Sequence, residues 1–250
     1  MSGKIEHTHD HGVATITFYH PKSNSLPSNL LKQLQQSIEQ LSDNPSVKVI
    51  VLQSTGNVFC AGASFDELLL ITNEAEGKDF FMGFANVINT MRNSSKLIIT
   101  KVHGKAVGGG VGLACATDYC VALDSASIKL SELSIGIGPF VIEPAVVRRI
   151  GLSAFSQLTL NPTTWKDAKW AQSMGMYLEV FATQSEMDLR ITELSRRLST
   201  YSQEAISEIK KVLWNNCKNW TQLLEERAKI SGKLVLSPTT QTALNAFRNK

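Results

Sequence analysis

At 250 residues the chain is long enough to bury a full core, as one large domain or as one domain with a smaller appendage. Apolar residues make up 43% and charged residues 19%, the balance of an ordinary globular protein, and a formal net charge of +3 gives no reason to expect a nucleic-acid partner, which calls for a concentrated basic stripe. The N-terminal segment Met1-Ser2-Gly3-Lys4-Ile5-Glu6-His7 has no apolar signal core, no stretch is apolar for long enough to span a membrane, and Cys60, Cys115, Cys120 and Cys217 form no C-x-x-C pair, so a reduced, cytoplasmic protein without structural zinc or disulfides is expected.

Along the chain, Ala14, Ile16 and Phe18 alternate with Thr15 and Thr17, which predicts a half-buried strand over 12–18. Ser28 or Asn29 is placed to cap a helix with Leu30, Leu34, Ile38 and Leu41 on its apolar face, stopped by Asp43-Asn44-Pro45. A buried strand over 47–52 leads into Phe59-Cys60-Ala61-Gly62-Ala63-Ser64-Phe65, and a short helix is expected over 65–71. Phe80, Phe81, Phe84, Val87, Ile88 and Met91 mark an amphipathic helix. A strand over 97–102 feeds Gly104-Lys105-Ala106-Val107-Gly108-Gly109-Gly110-Val111-Gly112, followed by a helix over 113–116 and strands over 119–123 and 127–130. Thr163 or Thr164 is expected to cap a helix ending at Gly175, with one more strand over 177–181. From Ser185 onward the pattern is helical, over 189–198, 205–214, 220–236 and 239–247. Strands alternating with helices predict an α/β fold with a largely parallel arrangement, followed by a helical tail.

Two loops of small residues stand out, each at a strand exit just before a helix can begin. Small residues let a ligand approach the main chain, and a helix start leaves N–H groups without partners, so two such loops could aim two donors at one oxygen. The glycine run is not a dinucleotide fingerprint, because its spacing is not G-x-G-x-x-G, and it lacks the Gly-Lys-Ser/Thr of a phosphate loop. His7, His9 and His11 alternate, a spacing open to metal ligation, but no carboxylate or Cys supports it and an exposed strand edge explains it. His103 reads as a packing or turn residue, and Trp165, Trp170, Trp214 and Trp220 as core or interface residues.

Taken together, Phe59-Cys60-Ala61-Gly62-Ala63, Val102-His103-Gly104-x-Ala106-Val107-Gly108-Gly109-Gly110, Pro21-x-x-x-Asn24 and Cys115-Ala116-Thr117-Asp118-Tyr119 resemble, in order, segments of the crotonase (enoyl-CoA hydratase/isomerase) family over about residues 12–150. The resemblance implies a crotonase-type ββα spiral core over 1–190 and a helical C-terminal oligomerisation domain over 191–250, assembling as a homotrimer or hexamer. It implies an acyl-CoA substrate whose thioester oxygen is held by the N–H groups of Ala63 and Gly109, with coenzyme A as part of the substrate and no metal or redox cofactor required. Ala61, Ser64, Phe65, Asp66, Gly110 and Gly112 would line the substrate path, with Lys22 a candidate contact for a CoA phosphate and Glu132 the catalytic carboxylate.

Two departures from the family pattern bear on the reaction. Hydratases of this family carry a second Glu where this chain has Gly112, and they have a glycine-rich run where it has Gly138-Pro139-Phe140-Val141-Ile142-Glu143-Pro144. Pro139-Phe140 resembles the mitochondrial-type Δ3,Δ2-enoyl-CoA isomerases and adds both residues to the expected substrate site. Hydration uses two carboxylates to hold and activate water, whereas shifting a double bond needs one, so the expected reaction is isomerisation. The alternatives are a hydratase, including a methylglutaconyl-CoA type, that recruits Glu143 or another acid; a catalytically weak acyl-CoA binding protein; and an RNA-binding or scaffold role on the same fold.

Overall fold

The computed structural model describes residues 3–248; Met1 and Ser2, read above as part of a segment without a signal core, lie outside the described residues. In chain order the elements are β1 (Lys4–Asp10), β2 (Val13–Tyr19), α1 (Ser28–Asp43), β3 (Val49–Ser54), β4 (Val58–Cys60), α2 (Phe65–Leu68), α3 (Glu74–Asn93), β5 (Leu97–Val102), β6 (Lys105–Val107) and α4 (Gly109–Cys115). They continue with β7 (Tyr119–Leu123), β8 (Ser127–Lys129), a 3-10 turn (Glu132–Ile135), α5 (Glu143–Thr159), β9 (Lys166–Asp167), α6 (Ala168–Ser173), β10 (Glu179–Phe181), α7 (Gln184–Ser199), α8 (Gln203–Leu213), α9 (Trp220–Leu234) and α10 (Pro238–Arg248).

A repeating connectivity organises the centre. β3–β4, β5–β6 and β7–β8 each send their first strand into a six-stranded sheet, β1-β2-β3-β5-β7-β10, and their second into a four-stranded sheet, β4-β6-β8-β9. A helix or helical turn follows each pair, which makes the ββα spiral. Pairing is parallel within β2, β3, β5, β7 and β10 and within β4, β6 and β8; β1 and β9 join antiparallel at the edges. The three parallel strands of the small sheet, β4, β6 and β8, end side by side, so the loops that follow them are brought to one end of it.

Both faces of the large sheet are covered. Ile50 and Leu52 face the main core with Phe18, Leu34, Ile88 and Met91, while Val49, Val51, Ile99 and Val121 face Met187, Ile191 and Leu194 of α7. Burial on both faces is why 49–52 reads Val-Ile-Val-Leu with no polar alternation. α3 and α9 cross where two glycines meet: a Cβ on Gly77 would stand 2.7 Å from Gly232 Cα, closer than any side chain permits.

Several local expectations change. The exposed strand edge read from His7 and His9 is β1, while His11 lies past its end; β1 pairs with β2 through a two-residue turn at His11-Gly12, both with positive φ. Pro27, rather than Ser28 or Asn29, occupies the N-cap of α1. α2 stops at Leu68, and α4 begins inside the glycine run at Gly109 rather than at Leu113. Neither Thr163 nor Thr164 caps a helix; a short bridge through β9 intervenes, and the Asp167 carboxylate accepts from Trp170 N to start α6. Trp214 and Trp220 are buried and stack edge to face at 5.6 Å. No helix among the described residues is long and apolar enough to cross a membrane.

Candidate active site

The loop after β4 is held from behind. Asn24, buried and at φ 54°, accepts from His20 N through Oδ1 and donates through Nδ2 to the carbonyls of Thr55 and Val58, both at 2.7 Å. This fixes the 20–26 segment, which in turn binds the loop: Ala61 N donates to Ser23 O, Leu26 N to Gly62 O and Ser64 N to Leu26 O. Because Gly62 and Ser64 direct these groups to Leu26, the intervening Ala63 turns its own N–H away from it.

The loop after β6 meets it. Gly62, at φ 89°, comes so close that a Cβ on it would lie 3.0 Å from Val107 O and 3.3 Å from Gly109 N. Only glycine tolerates that conformation and that approach together. Gly109 is the first residue of α4, where N–H groups lack intrahelical acceptors. Among the described residues neither the Ala63 nor the Gly109 N–H has a hydrogen-bond acceptor. Two unspent main-chain donors on adjoining loops of one cavity are the elements of an oxyanion hole.

The loop after β8 supplies the carboxylate. Glu132 opens the 3-10 turn, and its Oε1 lies so near Gly108 that a Cβ there would be 2.7 Å away. A side chain at position 108 would therefore displace the acid from beside the Gly109 donor. Glu132 Oε2 is buried without a hydrogen-bond partner, and burial raises the carboxyl from 4.5 to about 7, with its own backbone N–H offsetting part of the rise. A carboxyl half-ionised near neutrality is suited to take and return protons.

These groups face one cavity of about 440 Å³ whose remaining wall is largely apolar, with Phe80, Phe81 and Phe84 of α3 opposite Ile137, Val141 and Ile142. Of the residues expected at the site, Ala61, Ala63, Phe65, Gly109, Glu132, Pro139 and Phe140 line this cavity. Gly110 and Gly112 lie beneath it, packed against Cys60 and Ile142, where a Cβ would meet Cys60 O at 2.4 Å and Ile142 Cγ2 at 2.3 Å. Ser64 is buried and caps α2 by accepting from Glu67 N. Lys22 and Asp66 are exposed and pair with each other away from the cavity wall. Glu143 is not on that wall either; it heads α5 and pairs with Arg227 of α9 at 3.2 Å.

The space where a second carboxylate would project from position 112 is thus filled by the Ile142 side chain. Gly112→Ala is expected to destabilise the fold by about 1–3 kcal/mol through overpacking, read as a lower urea midpoint with unchanged slope.

The α3 wall was missed by sequence reasoning as a site feature. The signal was present in the clustered Phe80, Phe81 and Phe84, three aromatic side chains within two turns of one helix, which line the same cavity. His103 Nε2 bonds Gly56 O at 2.8 Å, and no group of three or more His, Cys, Asp or Glu among the described residues is placed to hold a metal ion.

Residues 8–250 match the family model described as enoyl-CoA hydratase/isomerase. A probable enoyl-CoA hydratase of Bacillus subtilis (strain 168) is 24% identical over 245 residues, spanning 96% of this chain and 94% of that protein. A peroxisomal Delta(3,5)-Delta(2,4)-dienoyl-CoA isomerase of Arabidopsis thaliana is 27% identical over 205 residues, spanning 76% of this chain and 72% of that protein. Among solved structures, an enoyl-CoA hydratase from Bacillus halodurans shares the fold with a TM-score of 0.91 at 21% identity, covering 97% of this chain and 99% of that one.

Proposed function

The chain belongs to the enoyl-CoA hydratase/isomerase family, and on that premise we propose that it moves a double bond in an enoyl-CoA thioester, using Glu132 as the single acid–base group. The observation that carries this reading is the lone carboxylate: among the described residues lining the cavity Glu132 is the sole acid, and Ile142 fills the space over Gly112. The thioester oxygen would accept from Ala63 and Gly109, each such donor supplying on the order of 3 kcal/mol of transition-state stabilisation. Glu132 takes a proton from C2 of a 3-enoyl thioester, the C2–H electrons pass into the dienolate held by those donors, and the same carboxyl returns the proton to C4. The double bond then lies between C2 and C3, and no water is consumed.

Lys22 remains the proposed contact for a CoA phosphate, reached by exchanging Asp66 for the ligand. We also propose a homotrimer or hexamer, supported by the exposed Ile209, Val212 and Leu213 of α8, with sedimentation as the measure.

The expected result with 3-enoyl-CoA is the conjugated trans-2-enoyl-CoA. Steady conversion of trans-2-enoyl-CoA to 3-hydroxyacyl-CoA would instead establish hydration. Failure to exchange any α-proton in deuterated solvent would leave a binding protein.

A further inference from the structure

Among the described residues, the cavity wall carries two charged side chains, Glu132 and Lys129. The proposed chemistry uses the first and leaves the second without a role. Lys129 ends β8 opposite Val107 of β6, so Lys105, Val107 and Lys129 share one face of the small sheet. The Lys129 ammonium sits 4.5 Å from the centroid of the Trp165 ring, and the Lys105 ammonium sits 5.1 Å from the same centroid. Among the described residues no carboxylate pairs with either ammonium. Lys129 does not serve Glu132, whose shift arises from burial with no cation among its causes.

The strand order places this cation relative to the reacting centre. Across the small sheet the order β4-β6-β8-β9 sets out first the Ala63 loop, then Gly109, then Glu132, and last the segment leading into β9. Because β9 runs antiparallel, with Ile128 opposite Lys166, Trp165 comes opposite Lys129, and Pro162 and Thr163 complete the wall on that side. Lys129 therefore shares the β8 side of the cavity with Glu132, two strands across from the Ala63 loop that would hold the thioester and next to the Trp165, Pro162 and Thr163 side of the wall.

We propose that Lys129, braced on Trp165 and reinforced by Lys105, receives a carboxylate at the distal end of the acyl group, making carboxylated acyl-CoA thioesters the preferred substrate class. This rests on the acyl-CoA reading above. An unpaired ammonium, shielded on one side by an indole and set at the edge of an apolar cavity, gains a charge-assisted hydrogen bond from an anionic oxygen and nothing from a methyl group. Two cations on one ring also raise the local positive potential that attracts such a group. The other source of an anionic oxygen is a CoA phosphate, and the comparison with free CoA separates the two.

The test is calorimetric affinity for glutaryl-CoA, valeryl-CoA and free CoA. The two acyl chains match in length and differ in ending as carboxylate or methyl. In the wild type, glutaryl-CoA is expected to bind roughly tenfold tighter than valeryl-CoA, the ratio falling to about one in Lys129→Ala and returning in Lys129→Arg. Equal affinities in the wild type would overturn the proposal without reference to any variant. Weakening of free CoA by Lys129→Ala as large as that of glutaryl-CoA would also overturn it, assigning the lysine to a phosphate. Failure of the isomerase reading shows separately, as absent α-proton exchange in deuterated solvent with the glutaryl preference intact.

Discussion

Glu132→Gln is expected to lower proton transfer from C2 by about 10²–10⁴-fold while acyl-CoA still binds, because the amide keeps the shape of the side chain and loses its basicity. α-Proton exchange followed by mass shift in deuterated solvent, beside calorimetric affinity for a saturated acyl-CoA, checks both halves; full activity in the variant would remove Glu132 from the mechanism. The wild-type kcat/KM should rise with pH through the carboxyl's value of about 7, since the reaction begins from the ionised form. The same shift makes a stability prediction of the opposite sign from that of a salt-bridged acid. The folded state holds the Glu132 proton more tightly than the unfolded chain, so stability falls as pH rises from 4.5 to about 7 and levels off above that. Glu132→Gln removes this cost and should be more stable than the wild type at pH 8 by on the order of 1–3 kcal/mol, with little difference at pH 4. Urea unfolding at the two pH values measures it.

The second large effect is structural. Asp118, between α4 and β7, accepts from Ile98 N at 2.7 Å and from Trp214 Nε1 at 2.6 Å, and pairs at 3.0 Å with Lys210 of α8, both side chains being 4% exposed. Lys210 Nζ also donates to Lys96 O at 2.6 Å. Burial lowers the Lys210 pKa, and Asp118 offsets part of that. Asp118→Ala would leave an ammonium and two N–H groups buried without their acceptor, at an expected cost of about 3–5 kcal/mol. Removing both charges together, as Asp118→Asn with Lys210→Met, should cost less than Asp118→Ala, because no uncompensated charge remains. Urea midpoints of the two variants test this, and an equal loss would show that the pair is not what ties α8 to the large sheet.

Asp118 illustrates how much the linear chain disclosed. Its place in Cys115-Ala116-Thr117-Asp118-Tyr119 was legible as part of a family-like segment, but its partners come from β5 and α8, distant in the chain. The strands over 97–102 and 119–123 were legible to the residue because they are short runs rich in apolar and β-branched residues with clear ends. β1 was legible only as an exposed edge at His7 and His9, because a strand with no buried apolar face carries no pattern that fixes its ends. The ββα repeat was legible through the family resemblance and not through any internal repeat, because what recurs is connectivity between two sheets, which leaves no repeated residues.

The sequence by itself determined the two small-residue loops, the acid that follows β8 and the absence of a second acid at Gly112. These are matters of residue type and local spacing, and local spacing is readable along a line. Only the tertiary structure decided that the Ala63 and Gly109 N–H groups are both unspent beside one cavity, that Ile142 closes the space over Gly112, that Glu143 turns to Arg227, and that Lys129 stands on the cavity wall against Trp165 with no carboxylate partner among the described residues. Each depends on which distant segment packs against the site, and burial and pairing, which set the chemistry of a charged or polar group, are properties of that packing.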